Sequence, residues 1–135
     1  MKLIWVHQDC LHRRSPAYLA YPESPSIYVW DDAALHQSAW TLKRIAFIYE
    51  CLVDLPVIIR RGDPVIEVRR FMQETNCSGS VTMATPDPYL RAQAIELNAE
   101  ILQPEPFVAV KGLLDLRRFS RYWAKVGSTL LLRNE

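Results

Sequence analysis

A chain of 135 residues, half of them hydrophobic and 23% charged, has the composition of one globular domain and leaves little room for a second. A net charge of +1 provides no global field that would favour nucleic acid or a membrane surface, and no apolar run approaches the roughly 18 residues of a membrane span. Cys10, Cys51 and Cys77 are odd in number and lack a C-x-x-C spacing, which argues against a disulfide framework and makes the cytosol the expected compartment. The apolar opening before His7 is too short for a signal peptide.

Short apolar runs alternate with helical patterns. Leu3–Val6 is continuously apolar, as suits a strand buried on both faces. Ile27–Trp30 is rich in β-branched and aromatic types, and Val57–Ile59, Val81–Met83 and the short Ile101–Leu102 complete five predicted strands. Between the second and third, Leu35, Ala39, Leu42, Ile45, Ala46, Tyr49, Leu52 and Leu55 recur at helical spacing. The expectation is one helix, capped by Asp31 or Asp32 and ended by Pro56, with Trp40, Phe47 and Tyr49 as packing residues. Trp5 and Trp30 are expected to pack at strand ends.

Asp63-Pro64 opens the next helix: the carboxylate accepts from free N–H groups of the first turn, and proline sits where no N–H is needed. Val65, Val68 and Met72 then face the core. Asp87-Pro88 repeats the device ahead of a buried stripe of Leu90, Ala94 and Leu97. A last helix is predicted over about 116–126, stopped by Gly127. Tyr18–Ser26 and Gln103–Pro106 read as connectors.

Strand–helix alternation predicts a Rossmann-like three-layer α/β/α fold with a five-stranded parallel sheet, as a single domain over 1–135. Ligands in such sheets sit beyond the carboxyl ends of the strands, which directs attention to the loops 7–16, 31–34, 60–63 and 84–88.

Several of these loops carry a family pattern. IWVHQDCLHRRSPAYL resembles the opening of the photolyase/cryptochrome N-terminal α/β domain, a strand with W-F-R-x-D-L-R followed by N-P-A-L; Trp5, Asp9, Pro16 and Ala17 fall at matching offsets. SIYVWDD resembles that family's second strand with its acidic end, RRGDP at 60–64 its third strand and turn, and PDPYLRAQA at 86–94 its P-Y-x-x-x-R-D stretch. FSRYWAKV at 119–126 resembles the segment leading toward the family's helical domain. The resemblance spans nearly the whole chain in order and spacing, and implies a fold of the same class.

The departures are equally informative. The family's basic pair after Trp is His7-Gln8 in this chain, its L-R-x-H-D-N stretch is Cys10–Ser15, and its acidic-aromatic run is Met83-Ala84-Thr85-Pro86. Those family loops help hold an antenna pigment, a folate or a deazaflavin. The expectation is therefore no cofactor held by this chain alone, with an antenna pigment as the alternative the resemblance implies. The family's FAD and lesion pocket belong to its helical domain, so the resemblance implies no DNA repair by this chain by itself.

Candidate ligand-binding residues are His7, Gln8, Asp9, Asp31, Arg61, Gly62 and Thr85. Asp9 is expected to hold its loop by capping backbone N–H groups more than to touch a ligand. Arg60, Arg61 and Gly62 precede a helix start that offers phosphate a place, although Asp63 competes for the same N–H groups. His7, Cys10 and His12 form H-x-x-C-x-H, too few ligands for a structural zinc site, and no metal is expected. No G-x-G-x-x-G, P-loop or G-x-S-x-G occurs.

The last 25 residues hold six basic side chains against two acidic ones. Phe119, Tyr122 and Trp123 share a helical face there, followed by an apolar tail with Leu130 and Leu131. Residues 113–135 are expected to form a docking helix and tail, for a helical flavin-binding partner chain or a second copy. Simple packing and direct nucleic-acid binding rank behind. Three functions follow as expectations: a non-catalytic binding or interaction module; a binder of a nucleotide, folate or flavin-like molecule; or the N-terminal part of a light-dependent repair enzyme.

Overall fold

The computed structural model describes residues 1–104. The expected helix over about 116–126 and the docking residues Phe119, Tyr122, Trp123, Leu130 and Leu131 lie outside the described residues.

The elements run β1 (Lys2–Val6), α1 (Pro16–Ala20), β2 (Ser26–Trp30), α2 (Asp32–Ser38), α3 (Leu42–Val53), β3 (Ile58–Arg61), α4 (Pro64–Glu74), β4 (Gly79–Met83), α5 (Pro88–Glu96) and β5 (Glu100–Leu102). The strands form one sheet in the order β3-β2-β1-β4-β5, and every neighbouring pair is parallel. This is the expected Rossmann-like α/β fold. The chain builds outward from β1 to β3, then returns to the other side of β1, so the order reverses between β1 and β4.

Alternation along the central strands divides the core into two layers. Leu3 and Trp5 of β1 with Ile27 and Val29 of β2 pack on one face against Val65, Val68 and Phe71 of α4 and Leu90 and Ala94 of α5. Ile4, Val6, Tyr28, Val81 and Met83 pack on the other face against Ala17 of α1 and Ile48 and Leu52 of α3. Continuous apolarity of β1 is thus explained by helices on both sides. Ile58 and Ile59 of the edge strand β3 are exposed.

Three expectations are corrected. The single helix before β3 is two: Ala39 adopts a left-handed conformation (φ 47°) that ends α2, and the Thr41 side chain caps α3 by accepting from the Arg44 N–H at 3.2 Å. The break rotates the buried face. Ile48 and Leu52 are buried and Ile45 is half-buried, while Leu42, Ala46, Phe47 and Tyr49 are exposed, Leu42 at 81%. Pro16–Ala20, read as loop and connector, forms a short helix with proline in its first turn.

The Asp-Pro devices fold as expected. Asp63 accepts from the N–H groups of Val65 and Ile66 at 2.9 and 3.2 Å, and Asp87 from that of Tyr89 at 2.9 Å. Their helices bury Val65 and Val68, and Leu90 and Ala94, with Leu97 at the end of α5 also buried. No helix among the described residues is long and apolar enough to cross a membrane.

Candidate functional site

The carboxyl ends of the strands carry the predicted residues, and hydrogen bonds arrange them in two groups. At the reversal between β1 and β4, the buried His7 ring spans the gap. Its Nδ1 accepts from the Asp9 N–H at 3.2 Å, which places the ring proton on Nε2; that N–H donates to the Met83 carbonyl at 2.8 Å. Beside it the Thr85 hydroxyl donates to Asp9 Oδ2, and Thr85 Oγ1 accepts from the Asp87 N–H at 3.1 Å. Asp9, Thr85 and the imidazole therefore tie the loops after β1 and β4 to each other through their own hydrogen bonds.

A cavity of about 180 Å³ opens on the neighbouring side, over the ends of β1 and β2. Trp5, Trp30 and Trp40 contribute its aromatic wall, with His7, Gln8 and Asp31 from the predicted set. The indole of Trp5 stands edge-on to His7 at 6.1 Å between centroids, and Trp30 edge-on to Tyr28 at 5.0 Å, so both rings are held in fixed orientations. The Arg44 guanidinium covers the Trp40 ring at 4.9 Å.

Asp31 joins the parts of this cavity. Its Oδ1 caps α2 by accepting from the Ala34 N–H at 3.2 Å. Its Oδ2 accepts from the Tyr89 hydroxyl at 2.7 Å and more weakly from Gln93 Nε2 at 3.4 Å. The hydrogen bond to the Asp31 carboxylate pushes the Tyr89 hydroxyl up to about 12, with burial and the nearby carboxylates adding to it. Tyr89 and Gln93, one turn apart on α5, were not among the predicted site residues. Gln93 had a readable signal: it falls between Leu90 and Ala94 in the buried stripe, where a polar side chain has no packing purpose. Its residue is 7% exposed, and its Oε1 is enclosed with no partner among the described residues.

A scan of protein-family models and a search of curated proteins both return no match. The geometry of the site therefore carries the functional argument.

Arg61 and Gly62 stand apart from the cavity. Arg61 Nε donates to Asp32 Oδ1 at 2.6 Å, and its side chain is otherwise solvated. Gly62 has φ 141°, a conformation that side chains rarely adopt, and its N–H donates to the Trp30 carbonyl at 2.9 Å. Its role is the turn from β3 into α4. Asp63 already occupies the N-terminus of α4, so an anion there would meet a carboxylate.

Burial pushes the Cys10 thiol up, so the residue is a poor source of nucleophilic thiolate at neutral pH. Among the described residues no three His, Cys, Asp or Glu side chains gather as metal ligands. What the arrangement offers chemically is a ring-sized space with aromatic walls and the polar side chains of Asp31, Tyr89 and Gln93 in its lining.

Proposed function

We propose that this chain is a non-catalytic binding module of the photolyase/cryptochrome N-terminal type, and that it holds a small planar ligand in the cavity at the ends of β1 and β2. The observation that carries the reading is that aromatic-walled cavity at the strand ends, with Asp31, Tyr89 and Gln93 among the polar residues of its lining. The segments that resemble the family support it, since Trp5, Asp31, Pro64 and Tyr89 from four separate motifs all line this one cavity.

Drug-sized ligands fill roughly 300–1,000 Å³, so about 180 Å³ fits a ring system and leaves the remainder of a larger molecule at the mouth. Thermal denaturation against folates, flavins, a deazaflavin, nucleosides and nucleotides tests the reading. A ligand at 100 times its Kd adds about 2.7 kcal/mol of stability and raises Tm accordingly. No shift with any member of the panel would remove the small-molecule reading. The docking role expected of residues 113–135 belongs to the same proposal, and co-purification with a helical flavin-binding chain is its test. Light-dependent repair would need that partner's flavin as electron donor.

A further inference from the structure

Beside its buried face, α3 carries an apolar stripe. Leu42, Ala46, Tyr49 and Val53 recur at spacings of four, three and four, so they lie on one line along the helix. All four are exposed, as is Phe47 next to them. Isolated apolar side chains on a surface are ordinary, but a continuous stripe at this spacing is the seam along which two helices pack. None of the four lines the cavity, so the stripe is independent of any ligand held there.

The charges beside the stripe run against the helix's own dipole. Lys43 and Arg44 stand in the first turn of α3, where the unpaired N–H groups favour anions. Glu50 stands in the last turn and Asp54 at the C-cap, where the free carbonyls favour cations. Each end thus carries the sign that its helix disfavours. Arg44 is occupied over the Trp40 ring, but Lys43 and Glu50 join no ion pair among the described residues. An antiparallel second copy of α3 supplies what is missing. It brings Glu50 of one copy to Lys43 of the other, twice by symmetry, and opposes the two dipoles. A parallel pairing would set basic end beside basic end and leave both conflicts in place.

We propose that α3 is the contact of a two-fold symmetric dimer, in which the stripe of one copy packs antiparallel on the stripe of the other. Leu42 then meets Val53 and Ala46 meets Tyr49, with the small alanine leaving room for the phenol ring. One helix holds both halves of the match, which a two-fold interface requires and a foreign partner would not. A single helix per copy is a small interface, under about 1,200 Å², so the association is reversible and set by protein concentration. The fold of each copy does not depend on it, since none of the four side chains belongs to the core.

Sedimentation equilibrium of the full chain between about 1 and about 200 μM, at about 20 mM salt, is the test. The expected result is a monomer–dimer equilibrium that stops at two copies, because a two-fold contact closes. Tyr49→Glu is expected to raise the dimer Kd at least tenfold, while its denaturation midpoint at about 1 μM, where the copies are apart, stays at the wild-type value. Lys43→Glu and Glu50→Lys are each expected to weaken association at least fivefold, since each sets like charges across the seam twice. Mixing those two variants, or combining both changes in one chain, is expected to restore it. The charge variants, at exposed positions, decide the question by themselves if Tyr49→Glu does not fold. A chain that stays monomeric at every concentration overturns the proposal, since the stripe is then met by other residues of this chain or by another protein. A dimer that survives Tyr49→Glu also overturns it, and moves association to another surface such as residues 113–135. Charge reversals without effect, or without mutual rescue, overturn the antiparallel arrangement.

Discussion

Asp31 and Tyr89, 58 residues apart in the chain, meet through a 2.7 Å hydrogen bond from the tyrosine hydroxyl to Oδ2 of the carboxylate. The same carboxylate caps α2 through its other oxygen. One side chain thereby ties the exit of β2 to the first turn of α5, and fixes two walls of the cavity against each other.

That bond has a titration signature. Tyr89 holds its proton up to about 12 instead of the ordinary 10.0, chiefly because the hydroxyl donates to Asp31. The neutral form is favoured more in the fold than in the unfolded chain. Its contribution is therefore complete below pH 10 and declines as pH rises from 10 toward 12. Subtracting the Tyr89→Phe ultraviolet titration from the wild-type one should isolate a hydroxyl that ionises late. In Asp31→Asn the same difference should move back toward 10. Tyr89→Phe is expected to cost about 0.5–1 kcal/mol at pH 7, the scale of one partly solvated hydrogen bond. A tyrosine that ionises near 10 in the wild type would remove the link.

How much of this was legible depended on how local each cause is. Asp63-Pro64 and Asp87-Pro88 announce their helices because cap and first turn are neighbours in sequence. The sheet was legible from apolar runs that need cover on both faces. The break at Ala39 was not, because nothing in alanine asks for positive φ; only Thr41, three residues before Arg44, hinted at a new helix start. Arg61 and Gly62 sit in a rim loop by sequence, yet their partners, Asp32 and the Trp30 carbonyl, come from β2 and α2 and turn them to structural work. Tyr89 became a site residue only through a partner 58 positions away.

The strained break gives a stabilising substitution. Ala39 sits at φ 47°, where a Cβ costs roughly 1 kcal/mol and glycine is free of that cost. Glycine also loosens the unfolded chain, which takes back about 0.4–1 kcal/mol, so the net gain in Ala39→Gly is expected to be at most about 0.5 kcal/mol. Urea denaturation should show a higher midpoint with an unchanged slope. A midpoint lowered by the substitution would mean that Ala39 keeps an ordinary helical conformation and that α2 and α3 are continuous.

The rotated face of α3 makes a paired prediction. Leu52 is 1% exposed against the sheet, while Leu42 on the same helix is 81% exposed. Leu52→Ala should cost about 2–5 kcal/mol, since a buried cavity is left behind. Leu42→Ala should stay within about 0.5 kcal/mol of wild type. Equal costs at the two positions would restore the uninterrupted apolar stripe that the sequence alone implies.

Acid should act through the opposite end of the sheet. Glu100 Oε2 on β5 accepts from Lys2 Nζ at 2.6 Å and from the Tyr21 hydroxyl at 2.7 Å, with β4 lying between β1 and β5. The hydrogen bonds from the Lys2 ammonium and from Tyr21 hold the Glu100 carboxyl below its ordinary value of 4.5. A depressed carboxyl favours the fold wherever it is ionised, so the contribution is present above about pH 4.5 and fades as pH falls below it. All three groups are solvent-accessible, which keeps the effect small and sensitive to salt. Wild type should therefore exceed Glu100→Gln in denaturation midpoint at pH 7, and the difference should shrink toward zero by pH 3 and in 1 M salt. A difference that persisted unchanged at pH 3 would assign the role of Glu100 to packing at the sheet edge instead of to its charge.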